Sequence, residues 1–130
     1  MSILDRVNLP ENADTTAVCA YLLAQEAKAF DNHATFMAPD VHFNGLVLNA
    51  QGAERIAEEM NRFLPAVATL TVDVAARVED GTTSRYMVLY QFQLQGQRAA
   101  QPLCDHITVR DGKITRIDNV FDVTLLPQLG

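Results

Sequence analysis

The sequence predicts an α+β domain in which helices cover one face of a strongly curved antiparallel sheet. Apolar residues recur at helical spacing up to Leu64 and alternate from Leu70 onward, and those two periods belong to helix and strand respectively. The turn glycines Gly81, Gly96 and Gly112 stand 15 and 16 residues apart. The strands between them are therefore long, and long antiparallel strands twist into a curved sheet. Helices first and a meander behind is the α+β arrangement. Its concave side, closed by helices, forms a pocket.

Each element has its own signal. Residues 1–12 read as a loose N-terminal lead, and the stretch from Asn8 to Asp14 is polar. Thr15 to Phe30 reads as a helix, with Asn12 or Asp14 able to cap it and Val18, Tyr21, Leu22, Ala29 and Phe30 at helical spacing. Asn32 to Met37 reads as a short second helix stopped by Pro39. Val41 to Leu48 is a strand interrupted at Gly45, which predicts a bend or bulge. Gly52 precedes a third helix, Ala53 to Leu64, whose Ile56, Met60, Phe63 and Leu64 make one apolar stripe and whose Glu54, Glu58 and Glu59 make a solvated face. Leu70, Val72, Val74, Ala76 and Val78 form the next strand, Asp80-Gly81 a hairpin turn, and Tyr86, Val88, Tyr90, Phe92 and Leu94 the strand after it. The segment from Pro102 to Arg110 follows, then Asp111-Gly112 and a last strand with Ile114, Ile117 and Phe121.

At 130 residues, 48% hydrophobic and 20% charged, residues 1–130 fit one domain with a substantial core. No stretch approaches the roughly 18 apolar residues of a membrane span, and the N-terminus shows no basic region followed by an apolar block. A net charge of −6 and scattered Lys and Arg argue against nucleic acid or an anionic membrane as partner. Cys19 and Cys104 have no metal-type spacing and read as buried free thiols, which fits a cytoplasmic protein. No histidine pair has the spacing of a zinc site. Dinucleotide and phosphate-binding glycine motifs are absent, as is a Gly-x-Ser-x-Gly elbow. The sequence thus points to no metal and no cofactor.

The candidate chemistry centres on Asp105. Leu103, Asp105, Ile107 and Val109 share one face of their strand, and Cys104, His106 and Thr108 share the other. A carboxyl on an apolar face is desolvated, which raises its pKa. Such a group can donate a hydrogen bond to a developing oxyanion or pass a proton. An arginine partner, or a bulge that turns it outward, would explain it equally well. Tyr21 lies on the first helix's apolar stripe, either as core packing or with its hydroxyl beside Asp105. His42 and His106 fall on the outer side of their strands, and His33 sits in the short polar second helix, exposed to solvent. His42 reaches the pocket only if the strand bulges at Gly45.

The element order, with "APDVHFNG", "GAERI", "CDHITVRDGKI" and "FD", resembles the NTF2-like superfamily, specifically its SnoaL-like branch of polyketide cyclases and ketosteroid-isomerase relatives. The likeness runs from about Thr15 to Asp122. It implies a curved sheet wrapped into a cone, closed by about three N-terminal helices and dimerising through the sheet's outer face. It also implies cofactor-free acid/base chemistry on a small hydrophobic carbonyl or polyketide-like substrate, of isomerase, cyclase or lyase type. A non-catalytic binding or dimerising module is the alternative. Tyr21 and Asp105 match the two oxyanion-holding positions of the isomerases; a protonated aspartic acid in that enzyme is an established example. The expected base position falls on Gly45. Epoxide-hydrolase relatives need an arginine two residues before the aspartate, where this chain has Leu103. The same matching points Met60, Tyr86, Val88, Tyr90, Leu103, Ile117 and Phe121 into the cavity, with Phe43, Leu64 and Asn119 as further wall residues.

Overall fold

A computed structural model describes residues 7–45, 48–81 and 83–120. Helix α1 (Ala13–Ala27) starts at Asn12, whose Oδ1 accepts from the Thr15 N–H at 2.8 Å. That bond satisfies a donor which the first helical turn leaves open. Asp14 has a different task. Its carboxylate accepts from the Gly112 N–H at 2.8 Å and from the Ser84 hydroxyl at 2.6 Å, which ties the helix start to the sheet. The helix ends before the expected Phe30: Lys28 is left-handed (φ 56°), and its N–H returns to the Ala24 and Gln25 carbonyls. In the lead, Val7 and Leu9 pack against the core.

The expected second helix is one 3-10 turn, His33–Thr35. Strand β1 (Met37–Asn44) begins directly after it and contains Pro39. Its pairing with the last strand is irregular between Met37 and His42, so the proline falls where the ladder is already interrupted. Gly45 then turns the chain, donating its N–H to the Leu48 carbonyl at 2.9 Å. The single interrupted strand of the sequence reading is thus a hairpin of β1 and the short β2 (Asn49–Gln51). Helix α2 (Ala53–Phe63) buries Ala53, Ile56, Ala57 and Met60, and a second 3-10 turn, Leu64–Ala66, leads into the meander. Among the described residues the helical cover is therefore two α-helices and two short 3-10 turns, where about three helices were expected.

Strands β3 (Val67–Asp80), β4 (Thr83–Leu94), β5 (Gln101–Arg110) and β6 (Lys113–Val120) are antiparallel in sequence order, and the whole sheet runs β2-β1-β6-β5-β4-β3. β1 joins β6 in parallel, so the predicted antiparallel sheet carries one parallel pair. Strands so far apart in the chain have no hairpin to force them antiparallel. α1 packs on β5 and β6, and α2 on β1 and β2. None of the described helices is long and apolar enough to cross a membrane.

Two irregularities reassign faces. The β3–β4 register shifts between Val72 and Val74. Val72 is buried, whereas Ala76 and Val78, expected on the same side, are exposed. A shift in β5–β6 between Thr108 and Val109 lets Ile114 and Ile117 both reach the core despite their odd spacing. Cys19 and Cys104 are free and only partly buried, so the expectation of two buried thiols fails. Cys104 lies on the sheet's outer face, paired with Leu89.

Candidate active site

A polar cluster lies inside the apolar core. Asp105 occupies the middle of β5, between Val88 of β4 and Asn119 of β6, and only 2% of it is exposed. The alternation that put it inward holds. Asn119 Nδ2 donates to Asp105 Oδ1 at 2.6 Å, and the Tyr90 hydroxyl is its other hydrogen-bond partner among the described residues. Gln25 reaches down from α1 to donate to Tyr90 Oη at 3.4 Å. Tyr21, one turn earlier on α1, is buried beside Asp105 and shares Gln25 with Tyr90. Its ring is held by Phe30 and Phe36, with centroids 5.7 and 6.4 Å away. The sequence paired Tyr21 with Asp105; Tyr90 is the phenol bonded to the acid, and Gln25 was not foreseen.

Burial pushes the Asp105 carboxyl up from 3.8 to about 6, against the Asn119 and Tyr90 hydrogen bonds, which favour the anion. Burial, and then the charge of Asp105, hold the Tyr21 and Tyr90 phenols well above their ordinary value, with Gln25 opposing. At neutral pH the phenols are neutral donors, and Asp105 changes charge just below it. A carboxyl that stays neutral to donate to an oxyanion needs a pKa well above 7. One near 6 is matched to accepting and returning a proton.

A cavity of about 370 Å³ opens beside the cluster. Phe43, Met60, Leu64 and Leu103 wall it as expected, and Tyr21 and Asn119 give it a polar end. Val67, Leu70, Phe92 and Leu94 also line it. Phe92 and Leu94 continue the alternation of β4 and Leu70 opens that of β3, so these were legible; Val67 lies ahead of the irregularity between Val67 and Thr69 and carried no separate signal. Glu59, read as solvated, stands at the rim with Arg62, 3.1 Å apart.

Four expected wall residues are elsewhere. Tyr86, Val88, Tyr90 and Ile117 do face inward and are fully buried, but they pack within the core and do not line the cavity. Tyr86 belongs to another network: its hydroxyl lies 2.9 Å from Thr15 Oγ1 and accepts from Arg77 Nε at 3.2 Å. His42 pairs across the sheet with Arg116, and its Nε2 is 3.3 Å from Asn49 Oδ1 on the outer side. His42 is not among the residues that line the cavity. Phe121 lies outside the described residues. Among the described residues no group of three or more His, Cys, Asp or Glu side chains could hold a metal ion.

The profile of the SnoaL-like domain family matches residues 18–117. The chain belongs to that family. No curated protein matches its sequence significantly, but solved structures match this SnoaL-like fold throughout. A steroid delta-isomerase from Pseudomonas aeruginosa is 16% identical with a TM-score of 0.75, over 95% of this chain and 90% of that one. A SnoaL-like polyketide cyclase from Agrobacterium tumefaciens is 21% identical with a TM-score of 0.64, over 93% and 100%. An LEH-like epoxide hydrolase from M. tuberculosis is 22% identical with a TM-score of 0.68, over 90% and 92%. At these identities the likeness concerns the fold, a cone-like α+β sheet, which carries more than one activity among these structures.

Proposed function

We propose that this SnoaL-like protein is a cofactor-independent acid/base enzyme of isomerase, cyclase or lyase type, acting on a small hydrophobic carbonyl or polyketide-like compound. Asp105 moves the proton and Tyr21 steadies the ligand's oxygen. The observation that carries this reading is a single acid, 2% exposed and raised to about 6, set among neutral donors directly behind Tyr21 and Asn119, the polar end of an apolar cavity. A group with that pKa can serve as base and then as acid without a second carboxylate. It thereby supplies what Gly45 lacks.

The test needs only an enolisable hydrophobic ketone such as 2-tetralone in deuterated water. The protein should accelerate exchange at its α-carbon, with a rate that rises through about pH 6 as Asp105 ionises, and Asp105→Asn should abolish the acceleration. Exchange no faster than in buffer would leave the alternative, a non-catalytic binding module. The shielding of Asp105 from the cavity favours that second reading. The outer face exposes Met87, Leu89 and Val120, which supports a homodimer through that surface. With a net charge of −6, neither nucleic acid nor an anionic membrane is proposed as a partner. Two free thiols suit a cytoplasmic setting.

A further inference from the structure

Asn119 stands in two places at once. It lines the cavity, and its Nδ2 donates to Asp105 Oδ1 at 2.6 Å. Because Asp105 is 2% exposed, a molecule entering the cavity meets Asn119 before it meets the acid. A carboxamide offers two N–H donors and an acceptor oxygen. The bond to Asp105 uses one donor, so the second N–H and the oxygen remain for the cavity side.

The backbone supplies an independent observation. β1 and β6 pair with Phe43 opposite Ile117 and Asn44 opposite Asp118, which brings Gly45 beside Asn119. A Cβ at Gly45 would lie 3.2 Å from Asn119 Cβ, 3.1 Å from the Phe43 ring and 3.2 Å from the Leu48 carbonyl oxygen. Those separations are inside ordinary van der Waals contact. A Cβ at position 45 would press on Asn119, and the two fit together only if a neighbour gives by a few tenths of an ångström. The position that the family resemblance gives to a base on β1 thus abuts the carboxamide-bearing residue in this chain.

We propose that Asn119 is the ligand-contacting partner of Asp105: its carboxamide binds the ligand's oxygen and so selects an oxygenated ligand over a deoxygenated one of the same shape. The inference rests on reading the cavity as a ligand site. Asp105 fixes the orientation of the amide, and the amide holds the ligand's oxygen next to the acid. Either a carbonyl, through the N–H, or a hydroxyl, through the amide oxygen, can be held this way.

The experiment compares the affinities of p-cresol and p-xylene, which differ by one oxygen, for the wild type and for Asn119→Leu, Gly45→Ala and Asp105→Asn. Asn119→Leu should shift the cresol-to-xylene affinity ratio by between about threefold and tenfold against cresol, the range of one net hydrogen bond. Xylene affinity should barely change. Gly45→Ala keeps every polar group and should shift the ratio in the same direction by displacing Asn119, which keeps the test valid if the leucine variant does not fold. The side-chain ¹⁵N resonance of Asn119 should move with cresol and not with xylene. An unchanged ratio in both variants overturns the proposal. If only Asp105→Asn shifts the ratio, the cavity reading stands and the role of Asn119 falls. A wild type that binds neither probe overturns both.

Discussion

Replacing Asp105 by Asn should make the protein more stable at neutral pH, although it alters the residue at the centre of the site. The carboxyl is raised from 3.8 to about 6 in the folded chain, and each tenfold change in acidity corresponds to about 1.4 kcal/mol. The folded state therefore disfavours the ionised acid by about 3 kcal/mol. Below about pH 4 the carboxyl is protonated whether folded or unfolded, and the penalty is absent. Between about 4 and 6 the folded state holds a proton that the unfolded state has released, so stability falls as pH rises. Above about 6 the loss is complete. Asn cannot ionise and keeps an oxygen for the Asn119 N–H. The stability gap, Asp105→Asn minus wild type, should open from near zero at about pH 4 toward about 3 kcal/mol at about pH 7, a large part of a typical domain's 5 to 15 kcal/mol, to order of magnitude. Urea denaturation at several pH values measures it. Far-UV circular dichroism is the probe, because the chain has no tryptophan. Taking the difference between the two proteins cancels the other carboxylates. A gap that stays flat, or closes as pH rises, would refute the buried acid.

Tyr90→Phe removes a hydrogen bond that favours the anion, so the Asp105 carboxyl, followed by ¹³C NMR, should titrate above about 6. Tyr86→Phe should leave that titration in place, because its hydroxyl serves Thr15 and Arg77, and should cost about 1 kcal/mol of stability. Asp14→Ala strips the carboxylate from the Gly112 N–H and the Ser84 hydroxyl. It should lower stability by about 2 to 3 kcal/mol, the scale of hydrogen bonds to a charged group, with p-xylene affinity unchanged. Leu89→Glu places a charge on the outer face and should convert the proposed dimer to monomer by sedimentation, with the circular dichroism spectrum retained.

Asn12 and Gly52 were legible because the capping oxygen and the positive φ of 103° are local demands that particular residue types meet. Alternation along β4 and β5 was likewise enough to turn Tyr86, Tyr90 and Asp105 inward, since the face of a side chain follows from counting by two. Counting fails where a strand takes an extra residue. A shift at Val72/Val74 moved Ala76 and Val78 to the outside, and one at Thr108/Val109 reconciled Ile114 with Ile117. Neither shift leaves a glycine or proline to announce it.

The chain's own pattern thus settled the α+β class, the meander and an acid on the inner face, all of which depend on residues close in sequence. Partnership is a different matter. That β1 runs parallel to β6 follows from how distant segments meet, and that pairing brings Gly45 against Asn119. Which phenol bonds Asp105 depends on the cross-strand register of β4 and β5 together with the depth of α1, so Tyr90 rather than Tyr21 holds the bond. Wall and core likewise separated only in three dimensions. Tyr86 and Phe92 share one face of one strand, yet only Phe92 meets the cavity, because the start of α1, through Thr15, covers Tyr86.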